Sequence, residues 1–156
     1  MKDKFIVFLD LDGVLCNCYH REEEFLPDGE HAFWSESVEA INALIQYYSA
    51  DLGMISSWNS KFRDEEHYKT FLISRGIIVN ELFILDSWER SSSILDFLSE
   101  NPDYNYLIVD DEAHQYYQES FLNKTFEYKR ICQPNMYRCL DLKDAYKFIH
   151  WGLNIE

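Results

Sequence analysis

Hydrophobic positions fall into short, dense runs separated by stretches with a different period. The run Phe5 to Asp10, inside KFIVFLDLDGVLCN, is short and rich in β-branched and aromatic residues, which predicts a buried strand. The polar, acidic segment that follows, CNCYHREEEFLPDGEHAFW, has no clear period. Val38, Ile41, Leu44, Ile45 and Tyr48 recur at helical spacing, with Ser35 or Ser37 as the expected N-cap. LGMIS predicts a short strand ending at Ser56. A helix is expected from about Arg63 to Ser74, with Tyr68, Phe71 and Leu72 on one face and Gly76 as its stop. GIIV or LFIL supplies a third strand, and SSSILDFLSENP a helix that ends before Pro102. YLIVD predicts a buried strand ending at Asp110, and TFEYKRI a fifth. Asp141 is expected to cap a last helix holding Leu142, Ala145, Phe148 and Ile149.

This alternation predicts an α/β domain, a Rossmann-like parallel sheet with helices on both faces. No repeat, low-complexity tract or Pro/Gly-rich linker divides the sequence, so residues 1–156 are expected to form a single domain. Ligands of an open parallel sheet bind beyond the carboxyl ends of its strands. Asp10, Ser56 and Asp110 each close an apolar run, so they are expected to gather on one edge.

Composition narrows the class. No apolar run approaches the roughly 20 residues that cross a bilayer, so no membrane partner is expected. The start of the chain lacks the marks of a signal peptide, and four cysteines do not make a disulfide framework. Reduced thiols and a cytoplasmic location follow as expectations. The formal net charge of −14 repels phosphodiester backbones, so no extended nucleic-acid surface is expected. A small anionic substrate stays open, because a bound divalent cation inverts the local field.

The candidate chemistry lies at the strand ends. Asp10 and Asp12 share a side of an extended strand, and Gly13 allows a sharp turn away. Asp110 and Asp111 form a second acidic pair. Four converging carboxylates repel one another, and a hard cation such as Mg²⁺ relieves that repulsion. Such a group suits phosphoryl transfer, with one carboxylate as nucleophile and another moving the leaving-group proton. A hydroxyl and a cationic side chain would hold the transferring oxygens.

With these residues in place, DLDGV, LGMISSW and LIVDD together resemble the haloacid dehalogenase (HAD) superfamily in its phosphatase branch. The resemblance covers most of the chain. It implies an aspartyl-phosphate mechanism on a phosphate monoester, with Asp10 as nucleophile and metal ligand. Asp12 would be the general acid/base and offer its backbone carbonyl to the metal. Ser56 would bind phosphate in preference to Ser57, and Asp110 and Asp111 would complete the Mg²⁺ site. The family's usual Lys is missing, since none lies between Lys69 and the acidic pair. Arg90, in DSWERSSSIL, is the expected substitute for phosphate, although the two residues are not interchangeable. A narrower resemblance, carried by ISSWN, Arg90 and VDDE, points to the small HAD domains of Swiss Army knife RNA-repair-like proteins and to polynucleotide-end phosphatases. The implied partner is a phosphorylated small molecule or a nucleic-acid end. The oligomeric state stays open.

In this superfamily the loop after Gly13 is where a cap is inserted. Here the insertion spans only about residues 16–35, which implies a minimal cap or none. Cys16, Cys18 and His20 lack a matching second ligand pair nearby, so no zinc site is expected. Glu22, Glu23 and Glu24 read as a solvated run, and His114 as a solvated helix residue. His31, Phe33 and Trp34 read more readily as surroundings than as pocket. Two alternatives compete with the phosphatase: a phospho-acceptor domain and a catalytically silent HAD-like binding module. A phospho-acceptor receiver carries its acidic pair after the first strand and its acceptor Asp later, the reverse of the order here. The intact acidic pairs weigh against a silent module, while the missing Lys leaves it standing.

Overall fold

The computed structural model describes residues 2–16, 33–113 and 130–150. In chain order the elements are β1 Lys4–Leu9, α1 Ser35–Tyr48, β2 Asp51–Met54, a 3₁₀ turn Ser57–Lys61, α2 Glu65–Ser74, β3 Leu82–Ile84, α3 Arg90–Glu100, β4 Tyr104–Val109, β5 Ile131–Cys132 and α4 Leu142–His150. The strands make one parallel sheet in the order β3-β2-β1-β4-β5. β1 is central because every residue after Lys4 is buried. Its Leu9 lies opposite Met54 on one side and Val109 on the other, which brings three strand ends level.

Alternation along β1 builds two cores. Phe5, Val7 and Leu9 pack with Leu52, Met54, Leu107 and Val109 against Ala40, Ile41, Leu44 and Ile45 of α1, Tyr68 and Leu72 of α2, and Ala145 and Phe148 of α4. Ile6 and Phe8 face the other way and meet Ile94 of α3, Ile108 and Ile131. Helices therefore cover both faces, as the alternation of elements implied. Each fully buried side chain of this kind is worth about 1.5–3 kcal/mol, so β1 organises both layers.

The differences from the sequence reading are local. Neither Ser35 nor Ser37 caps α1. Trp34 occupies that position without a side-chain hydrogen bond, and Ser37 Oγ instead donates to the Leu140 carbonyl at 2.7 Å. Tertiary pairing has taken the serine that local capping would have used. The β2 ladder ends at Met54, two residues before Ser56, because the chain turns there into the 3₁₀ segment. LFI rather than GIIV pairs with β2. α2 begins at Glu65, where Asp64 accepts a hydrogen bond from the His67 backbone N–H at 2.8 Å. Asp141 does cap α4, and Asp144 returns the contact to the Asp141 N–H. Of TFEYKRI only Arg130 and Ile131 are described, and the strand starts at Ile131. Most of the cap-site insertion, with Cys18, His20, Glu22 to Glu24 and His31, lies outside the described residues, as does His114. Among the described residues no helix is long and apolar enough to cross a membrane. Cys16, Cys132 and Cys139 are buried free thiols.

Asn59 locks the 3₁₀ turn onto the sheet. Its amide donates to the carbonyls of Met54 and Leu85 at 2.8 and 2.9 Å, and its oxygen accepts from the Tyr68 hydroxyl at 2.9 Å. Asn59→Ala strands buried groups, each costing about 1–3 kcal/mol. Chemical denaturation is expected to show a loss of about 3 kcal/mol for Asn59→Ala and about 1 kcal/mol for Tyr68→Phe. Equal losses would show that the two carbonyl contacts contribute little.

Candidate active site

The carboxyl ends of β1 and β4 deliver the acids. The Asp10 backbone N–H donates to the Val109 carbonyl and that of Asp110 to the Cys132 carbonyl, at 3.0 and 3.1 Å. Both residues thus remain pinned to the sheet just past their strands, and both are buried. Each carboxylate has one oxygen held by a nearby backbone N–H: Asp10 Oδ1 by Leu11 at 2.9 Å, Asp110 Oδ1 by Glu112 at 3.0 Å. The other oxygen of each faces the Arg90 guanidinium. Arg90 Nη1 lies 2.9 Å from Asp110 Oδ2 and 3.4 Å from Asp10 Oδ2.

Arg90 opens α3 and is only 7% exposed. A second contact, from Nε to the Ser87 carbonyl at 3.2 Å, fixes its plane. Asp111 joins the group: one ligand oxygen each from Asp10, Asp110 and Asp111 lie within 4.8 Å of one another. Three carboxylates gather beside one guanidinium, and the acidity of Asp10 and Asp111 reflects their burial and crowding. Burial, then Asp110, then Asp111 raise Asp10 well above the usual carboxylate range, while Arg90 opposes them. Burial and then Asp110 push Asp111 up to about 6. Hard oxygen donors carrying excess negative charge match the preference of Mg²⁺. Asp10, Asp110 and Asp111 are therefore the residues fitted to hold it.

Asp12 is held apart from this group. Leu11 to Cys16 fold into a tight turn, with the Leu15 N–H on the Leu11 carbonyl and the Gly13 N–H on that of Cys16. Gly13 has φ +78°, and a Cβ on it would lie 2.3 Å from an Asp111 oxygen, so this position needs glycine twice over. The turn leaves the Asp12 carboxylate outside the three-carboxylate group. Asp12 Oδ2 accepts a hydrogen bond from Trp58 Nε1 at 2.8 Å, and Oδ1 a longer one from Cys16 Sγ at 3.5 Å. Burial raises the Cys16 thiol far above its ordinary range, which keeps it a protonated donor.

Ser56 is fully buried and starts the 3₁₀ turn, where its Oγ accepts the Trp58 N–H at 3.1 Å. Ser57 is exposed. One short turn thus joins the candidate phosphate-binding serine to the indole that holds Asp12. Tyr68 closes the floor. Burial and then the charge of Asp10 hold its hydroxyl well above the ordinary range, while a contact with Ser56 opposes them. The sequence offered Trp58 as part of the ISSW stretch, but nothing in its spacing revealed the hydrogen bond to Asp12. The roles of Cys16, Tyr68 and Asn59 carried no sequence signal.

A family model described as the HAD domain in Swiss Army Knife RNA repair proteins matches residues 6–131, a span that includes every residue named above from Asp10 to Asp111. Neither the curated proteins nor the solved structures yield a match.

The raised acids set a pH dependence. Asp111 titrates higher folded than unfolded, so the folded state binds more protons between 3.8 and about 6, and stability falls as pH rises through that window. With metal chelated, the stability of the wild type relative to Asp111→Asn is expected to fall from about pH 4 to about pH 6 and then level off. Denaturant midpoints measured across that range check this. A difference that stays flat would show that Asp111 is not crowded by its neighbours.

Proposed function

The chain belongs to the HAD superfamily, in the family of the HAD domain in Swiss Army Knife RNA repair proteins, and on that premise we propose that it is a Mg²⁺-dependent phosphatase acting on a phosphate monoester. The observation that carries this reading is the separation of two acids only two residues apart. Asp10 is buried against Arg90 among the metal-type carboxylates, while Asp12 is held outside them by Trp58.

Asp10 attacks phosphorus, and the bond from phosphorus to the leaving oxygen breaks. Asp12 gives that oxygen its proton, leaving a phosphorylated Asp10. Water then attacks the phosphorus of the acyl phosphate and loses its proton to Asp12. Inorganic phosphate departs, Asp10 is regenerated as a carboxylate, and Asp12 again carries a proton. Arg90 and Ser56 supply the charge and hydroxyl that hold phosphoryl oxygens. Mg²⁺ on Asp10, Asp110, Asp111 and the Asp12 carbonyl would neutralise charge on the transferring group. Arg90 stands in for the Lys usual at this position, with its contact to Asp10 in support. A nucleotide or nucleic-acid end is the substrate class that the family's description favours. The buried free thiols suit a reducing, cytoplasmic setting.

Purified protein is expected to hydrolyse p-nitrophenyl phosphate with Mg²⁺, and Asp10→Asn or chelation to abolish turnover. Tight binding of phosphorylated ligands with no turnover would instead favour the silent module. Trp58→Phe removes the hydrogen bond that positions the Asp12 carboxyl, worth about 0.5–1.5 kcal/mol. It is expected to lower kcat/KM for an alkyl phosphate, which reports only the step that phosphorylates Asp10, about 2- to 10-fold. The effect on p-nitrophenyl phosphate should be much smaller, because that leaving group barely needs a proton. Equal losses on both substrates would remove Trp58 from the support of Asp12.

A further inference from the structure

Trp88 is 92% exposed, the most exposed large hydrophobic side chain among the described residues. Trp58, by contrast, is buried in the aromatic cluster with Phe33 and Phe71. An indole left almost wholly in water gives up its burial energy, which is uncommon for so large an apolar group. The segment that carries it is nevertheless well ordered by hydrogen bonds. The Trp88 N–H donates to Asp86 Oδ1 at 2.9 Å, and Ser93 Oγ donates to the Asp86 carbonyl at 3.0 Å. Arg90 Nε reaches back to the Ser87 carbonyl at 3.2 Å. The indole is therefore presented on a fixed turn.

That turn belongs to the active site. The guanidinium that contacts the Ser87 carbonyl is the one 3.4 Å from Asp10. Trp88 follows Ser87 directly, and two residues of chain span at most about 7 Å, so the backbone of Trp88 lies beside the phosphate-binding end of the site. A nucleotide carries its base one ribose away from its phosphate. A phosphate on Asp10 and Arg90 leaves its base one ribose away, on the length scale that separates Arg90 from the backbone of this turn.

Charge makes such a platform useful. A net charge of −14 gives no general electrostatic footprint for the backbone of an anionic strand. Base stacking on an aromatic face is uncharged and tolerant of sequence. Resting on the phosphatase reading above, we propose that Trp88 is a base-stacking subsite, and that the substrate is a nucleoside phosphate or the phosphorylated end of a single strand rather than a sugar phosphate.

The test compares wild type, Trp88→Ala and Trp88→Phe on three phosphates: acetyl phosphate, which has no ring, adenosine 5′-monophosphate, and short single-stranded oligonucleotides phosphorylated at the 3′ or 5′ end. Trp88→Ala is expected to raise KM for the base-bearing substrates about 5- to 150-fold relative to any change on acetyl phosphate, the equivalent of about 1–3 kcal/mol for one stacked base. Trp88→Phe should recover part of that loss. Loss on the oligonucleotides without loss on the mononucleotide would assign the subsite to strand ends, and the reverse to free nucleotides.

Equilibrium dialysis of the same ligands against metal-loaded proteins that also carry Asp10→Asn needs no turnover and leaves the ligands intact. If the wild type hydrolyses none of the three, the phosphatase reading falls, and the dialysis still decides whether Trp88 binds the base. Unchanged affinity in Trp88→Ala overturns the proposal. So does an equal loss on acetyl phosphate, which would mean that the turn had been damaged. Unchanged nucleotide affinity with altered sedimentation of Trp88→Ala would assign the ring to contact between protein copies instead.

Discussion

The structure is organised around one electrostatic constraint: a guanidinium buried between two carboxylates, with a third carboxylate too close to be ignored. Arg90 meets Asp10 and Asp110 where all three side chains are almost inaccessible. Burying an ion pair is costly, and removing one partner typically costs about 3–5 kcal/mol because the other charge is left stranded. Arg90 offsets much of the repulsion between Asp10 and Asp110. Burial and then the crowding of neighbouring carboxylates make both Asp10 and Asp111 hold their protons more tightly. Such an arrangement is poor design for stability alone. It suits a site that accepts a cation and then an anion.

The surrounding fold makes the constraint possible. Level ends of β1 and β4 fix the two buried acids through their own backbone hydrogen bonds. Gly13 permits the chain to turn away without striking Asp111. The same turn separates Asp12 from the cluster and hands it to Trp58, whose own backbone is tied to Ser56. Two acids on one strand end thereby acquire different surroundings, which the proposed division between nucleophile and proton carrier requires.

Much of this was legible in the chain. The short β-branched runs gave the parallel sheet, because a strand buried on both faces needs apolar residues at successive positions. The acids at their ends and Gly13 marked the candidate site, since polar residues seldom close a buried strand without a task, and the structure brings Asp10, Asp110 and Asp111 together. Capping was less legible: Ser37 is a good N-cap by type, but Leu140, 103 residues away, takes its hydroxyl. Arg90 was visible as a candidate only. Its burial depends on how α3 docks, which local sequence does not encode. The hydrogen bonds of Trp58, Cys16 and Asn59 arise from the 3₁₀ turn and the tight loop after β1, where side-chain direction follows tertiary packing rather than period.

The central claim is that the excess of buried carboxylate over guanidinium exists to be neutralised by a divalent cation. Calorimetric titration of Mg²⁺ into chelator-stripped protein near neutral pH tests it directly. The expected result is one ion bound per chain, with affinity at least about tenfold weaker in Asp110→Asn. Failure of the wild type to bind an ion, or an unchanged affinity in Asp110→Asn, would contradict it.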